Sequence, residues 1–146
     1  MRIYLDCCCL QRPFDDQTQP RIKVEAEAVL AILASVQAGD LSLLSSEALE
    51  YEVARIPEEG RRNAVLAILA LANEHIEVTE DVEALAESLE SQGVRAIDAV
   101  HLALASTTRA DYFSTCDDKL LRTGQTISAL ECKVVSVLGL VPEVLK

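Results

Sequence analysis

The first sixteen residues, MRIYLDCCCLQRPFDD, open with a short apolar run that stops at an acid, Asp6. Arg2 to Leu5 is too short for a helix and its Ile and Tyr suit a strand, so Asp6 is expected at a strand end, entering a loop. Val29, Ile32, Leu33 and Val36 then recur at helical spacing on one face. Asp16 or Thr18 is expected to cap that helix near Pro20, since a short side-chain oxygen satisfies free N–H groups and proline suits a first turn. Gly39 with Asp40 ends it. Leu41 to Ser45 reads as a second strand, and Glu47 to Arg55 as a helix stopped before Pro57. A helix from about Glu58 to Asn73 precedes a brief strand at Ile76 to Val78. Val82, Leu85, Ala86 and Leu89 form another helical stripe, closed by Gly93. Ala96 to Thr107 is helical with Asp98 in its first turn. Asp111 to Thr115 reads as a strand, Asp118 to Arg122 as a short helix before Gly124, and Lys133 to Val137 as a last strand.

Strands alternating with helices at these intervals predict an α/β fold: one domain over residues 1–146, with a central, mostly parallel sheet covered on both faces. The heptamer AVLAILA occurs twice, at Ala28 to Ala34 and Ala64 to Ala70. Its flanks do not match, so it marks two Ala/Leu-rich core helices and not a repeat architecture.

Composition narrows the reading. With 50% hydrophobic but 3% aromatic residues, the core must be built mainly from Ala, Val, Leu and Ile. The longest apolar runs, such as Ala64 to Ala72, are too short to cross a bilayer, and Asp6 falls where a signal peptide needs its apolar centre. A soluble cytoplasmic protein with no membrane partner is expected. Thirteen basic and 24 acidic residues give a net charge of −11. Binding to nucleic acid would therefore need a local basic groove or bound cations, and a basic protein partner fits the sign. Of the five cysteines, Cys7, Cys8 and Cys9 are adjacent and cannot clasp a zinc as a spaced pair does, while the odd count argues against a secreted disulfide framework. Buried thiols are expected, with a redox or soft-metal site as the alternative.

Four acids fall at element ends. Asp6 ends strand one, Glu52 lies on the helix after strand two, Asp98 opens a helix and Asp117 follows the strand ending at Thr115. Parallel strands put their C-terminal ends on one side, so Asp6 and Asp117 share an edge, and helices that follow strands start there too. Carboxylates packed together repel unless a cation sits among them. An oxygen-only donor set points to Mg²⁺ or Mn²⁺, which polarises a phosphodiester and lowers the pKa of an attacking water. Taken singly, each acid also reads as a helix cap or a solvated side chain. His101, one turn after Asp98, is expected to pack against the sheet with no catalytic role, and His75 is given none.

The segments IYLDCCCL, LLSSEALEYEV, RAIDAVHLALA and DYFSTCDDKLL resemble, in order and across nearly the whole chain, the four acidic motifs of PIN-domain ribonucleases, including VapC-type toxins. Carried over residue by residue, the motif acids are Asp6, Glu52, Asp98 and Asp117. The resemblance implies a three-layer α/β/α sandwich, a Mg²⁺ or Mn²⁺ site, cleavage of RNA, a homodimer, and an antitoxin protein that holds the toxin inactive. Two features depart from the pattern. Cys7 and Cys8 stand where the family often has Thr and Asn, and Glu47 lies closer to its strand than Glu52. Asp118 is placed to share the role of Asp117.

The leading expectation is a metal-dependent ribonuclease in which Asp6, Asp98 and Asp117 hold the ion and Glu52 completes the cluster or orients water. Arg12, Arg21, Arg55, Arg95, Lys119 and Arg122 are candidate phosphate contacts. The alternative is a catalytically silent module of the same fold that binds a protein or RNA. A haloacid-dehalogenase-like phosphatase needs a second Asp at position 8, which is Cys8. A response-regulator receiver needs a Lys at the end of its last strand, whereas Lys133 is at the start.

Overall fold

In the computed structural model, which describes residues 1–145, the short apolar runs pair into five parallel strands: β1 (Arg2–Leu5), β2 (Ser42–Ser46), β3 (Glu74–Ile76), β4 (Tyr112–Thr115) and β5 (Lys133–Ser136). Their order is β3-β2-β1-β4-β5. The chain thus builds outward from β1 in one direction through β2 and β3, then returns to add β4 and β5 on the other side. The order reverses between β1 and β4, where an open α/β sheet leaves a crevice beyond its strand ends. Register there is set by Ile3 opposite Tyr112, Tyr4 opposite Phe113 and Leu5 opposite Ser114.

Among the described residues, eight α-helices accompany the strands: α1 (Cys7–Gln11), α2 (Pro20–Gln37), α3 (Glu47–Ala54), α4 (Glu59–Leu69), α5 (Glu80–Ser91), α6 (Ala96–Thr107), α7 (Asp118–Gln125) and α8 (Val137–Val144). They complete a three-layer α/β/α sandwich in which α2 packs on α8 and α5 on α6. Ile3, Tyr4 and Leu5 of β1, Leu43 and Leu44 of β2 and Phe113 of β4 are all fully buried, as strands covered on both faces require. No helix among the described residues is long and apolar enough to cross a membrane.

Several boundaries differ from expectation for identifiable reasons. The expected loop after Asp6 is helix α1 followed by a 3₁₀ turn at Arg12–Phe14, because the Asp6 carboxylate caps α1 through the Cys7 N–H. Neither Asp16 nor Thr18 caps α2. Asp16 instead closes a turn onto the Thr18 N–H and hydroxyl, at 3.0 and 2.7 Å, and Gln19 occupies the cap without a side-chain bond. Helix α4 stops at Leu69 and β3 starts early, at Glu74, because Asn73 docks on β2, its side chain accepting from the Leu43 N–H and its own N–H donating to the Leu43 carbonyl. Helix α7 runs through Gly124, where a Cβ would come within 3.0 Å of Val134 Cγ1, so this glycine permits close helix–strand approach and does not stop the helix. Helix α8, absent from the sequence reading, starts where the Ser136 hydroxyl accepts from the Gly139 N–H.

The first AVLAILA copy provides an internal contrast, since Ile32 is fully buried whereas Leu30 is 54% exposed. Ile32→Ala should cost about 2–5 kcal/mol in a denaturant titration, while Leu30→Ala should stay within about 0.5 kcal/mol of wild type.

Candidate functional site

The crevice at the β1/β4 reversal holds a depression of about 190 Å³ lined by Asp6, Cys7, Cys8, Gln11, Glu52, Arg95, Asp98 and Asp117. The four acids singled out in the sequence thus line one hollow. A second hollow of about 140 Å³ shares Arg95, Asp98 and Asp117 with the first and adds Lys119. A larger one of about 490 Å³ lies beside β3, and its acids Glu50 and Glu74 pair with His75 and Arg2.

Asp6 is 5% exposed and held from three sides. Its N–H donates to the Ser114 carbonyl at 2.9 Å, extending the β1–β4 ladder by one rung. Its Oδ1 caps α1, and its Oδ2 accepts from the Thr115 hydroxyl at 2.9 Å and from the Cys8 thiol at 3.4 Å. The same Thr115 oxygen accepts from the Asp117 N–H at 3.1 Å, so one hydroxyl fixes the spacing of two acids 111 residues apart in the chain. Asp117 caps α7 with Oδ1, which accepts from the Lys119 and Leu120 N–H groups. Asp98 sits in the first turn of α6, with Arg95 Nε 3.7 Å away. Glu52 bonds through Oε1 to His101 Nε2.

The ambiguities at the second and fourth acids separate by geometry. Glu47 accepts from the Val78 N–H and helps dock the end of β3. Asp118 turns outward into a two-bond pair with Arg21, at 2.9 and 2.6 Å. Among the candidate cations, Arg95 and Lys119 line the hollows, whereas Arg12 lies against Asp15 and Glu25, Arg55 lies over the Tyr51 ring at 4.3 Å, and Arg122 is exposed on α7.

His101 is where the sequence reading was incomplete. It does pack against the sheet, fully buried, but its ring is polar-bonded at both ends: Nδ1 meets the Tyr4 hydroxyl at 2.6 Å and Nε2 meets Glu52. The Tyr4 hydroxyl in turn meets Ser46 Oγ at 2.8 Å, and Ser46 caps α3 through the Leu49 N–H. Ligand atoms of Asp6, Glu52 and His101 all lie within 4.8 Å of one another. The spacing of His101 three residues after Asp98 was the available signal; that Glu52 would reach it depends on α3 meeting α6.

Burial is the largest force on Asp6 and Asp98. It pushes Asp6 up to about 7, with Cys8 and Glu52 adding to the rise and His101 and the Thr115 bond opposing it. Asp98 rises to about 6, again mainly by burial and then by the charges of Asp6 and Asp117, against Arg95. For His101, burial works against the charged form, but the bond to Glu52 and the charges of Asp6, Glu52 and Asp98 outweigh it and raise its pKa. The oxygen donors of the buried Asp6 and Asp98 carboxylates fit a hard divalent cation, which relieves their repulsion; among the described residues Asp98 and Asp117 line the depression but stand outside the close group of Asp6, Glu52 and His101.

A model of the PIN domain family matches residues 3–125. Among solved structures, the chain is similar to VapBC2 from Rickettsia felis bound to a DNA fragment from their promoter, with a TM-score of 0.58 and 12% identity, covering 93% of this chain and 98% of that one. At that identity the likeness is one of fold. No curated protein matches the chain.

The raised acids set the sign of a pH effect. Above about pH 4 the unfolded chain ionises Asp6 while the fold retains its proton, so ion-free stability should fall as pH rises to about 7, at up to about 1.4 kcal/mol per pH unit for each such group. The raised His101 acts in the same direction. Thermal melts should show this decline, Mn²⁺ should reverse it, and Asp6→Asn should flatten the decline and lose the response to Mn²⁺.

Proposed function

The chain belongs to the PIN domain family, and from that premise we propose that it is a metal-dependent endoribonuclease, the toxin of a toxin-antitoxin pair. PIN domains are generally nucleases that use divalent metals, and the observation that carries the finer reading here is the convergence of Asp6, Glu52, Asp98 and Asp117 on one depression. In this reading Asp6, Asp98 and Asp117 hold Mg²⁺ or Mn²⁺, with Glu52 completing the cluster. When bound, the ion supplies polarisation of the phosphodiester and a lowered pKa for the attacking water.

The chain's own residues then have separate tasks. Thr115 keeps Asp6 and Asp117 at fixed spacing, so the acids need not reorganise when substrate arrives. His101 holds Oε1 of Glu52, which leaves Oε2 to accept the proton of a water attacking phosphorus as the leaving oxygen departs. Arg95 and Lys119 flank the acids and give an otherwise anionic surface its local contact to RNA phosphates. The acidic net charge suits a basic antitoxin protein, and the similarity to a VapBC2 assembly supports such a partner; a homodimer and a cytoplasmic location complete the proposal.

Asp6→Asn and Asp98→Asn should each lower Mn²⁺-dependent cleavage of RNA on the order of 10²–10³-fold with unchanged circular dichroism; full activity in both would overturn the reading. A silent module of the same fold is the second reading, favoured by the net charge of −11 and by Cys7 and Cys8 after Asp6. Isothermal titration separates the two, since a silent module shows no Mn²⁺ binding that depends on Asp6.

A further inference from the structure

Behind Asp6 lies a second group of ligand-bearing side chains that the nuclease reading does not use. The Sγ atoms of Cys8, Cys9 and Cys116 all lie within 4.8 Å of one another, and Cys9 Sγ is 3.5 Å from Cys116 Sγ. Two of the three come from α1 and the third from the loop after β4, so the β1–β4 pairing assembles the trio from residues 107 or more positions apart. Two thiolates on one tetrahedral zinc, with Zn–S near 2.3 Å, stand about 3.8 Å apart, which this spacing matches with small adjustment.

An ion entering the trio displaces two thiol protons, those that Cys9 Sγ donates to the Ser114 carbonyl and Cys8 Sγ donates to Asp6 Oδ2, both at 3.4 Å. The Cys116 N–H donates to Cys8 Sγ at 3.3 Å. The Arg12 guanidinium stands beside Cys116, and its Nε is buried without a hydrogen-bond partner, 3.3 Å from Glu25 Oε1 but outside bonding geometry. Half-buried and shared with Asp15 and Glu25, this cation offsets part of the negative charge of three thiolates around one metal ion. Cys9 is fully buried and Cys116 is 7% exposed, whereas Cys8 is half-buried and lines the acidic depression, giving an ion its way in. Cys7 points elsewhere, accepting from the Gln11 side chain at 3.5 Å.

We propose that Cys8, Cys9 and Cys116 form a three-thiolate site for a thiophilic d¹⁰ cation, Cu⁺ or Zn²⁺, distinct from the oxygen-donor site for a hard ion. Three soft donors select against Mg²⁺ and Mn²⁺, so the two sites need not compete for the same metal. An ion held there ties α1, which starts directly after Asp6, to the loop that leads into Asp117, and thereby braces the two acids from behind. The proposal stands independently of the nuclease reading.

The test uses the full chain, kept reduced by a non-thiol reductant without oxygen, and Cd²⁺ as a spectroscopic probe. One equivalent of Cd²⁺ should produce the ultraviolet thiolate-to-metal band and raise the melting temperature, and titration with Zn²⁺ or Cu⁺ should displace it, the stronger competitor identifying the ion. Cys116→Ser and Cys8→Ser should lose the band, whereas Asp6→Asn and a Cys7→Ala/Cys132→Ala double variant should keep it. Using both a loop and a helix cysteine guards against one variant failing to fold, and circular dichroism checks each. Absence of the band at stoichiometric Cd²⁺, its survival in Cys116→Ser, or formation of a Cys9–Cys116 disulfide by a chain that shows no metal band would overturn the proposal.

Discussion

Parallel pairing of β1 with β4 is the constraint from which the site follows. The two strands are separated by more than a hundred residues, and their register puts the end of β1 beside the end of β4, with the Asp6 N–H bonded to the Ser114 carbonyl. A shift of one residue would turn Thr115 away and break the hydroxyl that joins Asp6 to Asp117. That register is enforced by the core: Tyr4 stacks on Phe113 at 5.6 Å between ring centroids, and both side chains are fully buried. In a chain with few aromatics, two of them are spent on locking the strand pair that carries the acids.

The cost of this arrangement is electrostatic. Asp6 and Asp98 are held in a poorly solvated crevice near other acids, and both shift toward the neutral form. Against this stand the N–H and hydroxyl donors on Asp6 and the His101 contact to Glu52. These bonds orient the carboxylates. The result is a set of oriented acids that line one depression.

The buried Tyr4–His101 pair connects that pocket to the helix caps. Ser46 caps α3, bonds Tyr4, and through His101 reaches Glu52 on the same helix. The chain of contacts therefore closes on α3 and fixes both its start and the position of Glu52 one and a half turns later. Tyr4 stays protonated, since burial raises its pKa well above the ordinary phenol range, and it serves as a neutral bridge.

Local patterns alone carried the alternation of strands and helices, the parallel sheet and the positions of Asp6, Glu52, Asp98 and Asp117, because strand ends and helix starts are marked by apolar runs meeting short polar residues. They did not carry α1 or α8. Three cysteines have no strong helical preference, and α1 exists because Asp6 caps it; α8 depends likewise on Ser136 and on packing against α2. Nor did they show that Glu52 and Asp117 line the depression while Glu47 turns to Val78 and Asp118 to Arg21, since that depends on which neighbour each side chain meets. The Glu52–His101 contact and the gathering of Cys8, Cys9 and Cys116 were likewise decided in three dimensions. Each joins residues from separate elements, and periodicity reports which face of an element is buried but not which neighbour it meets there.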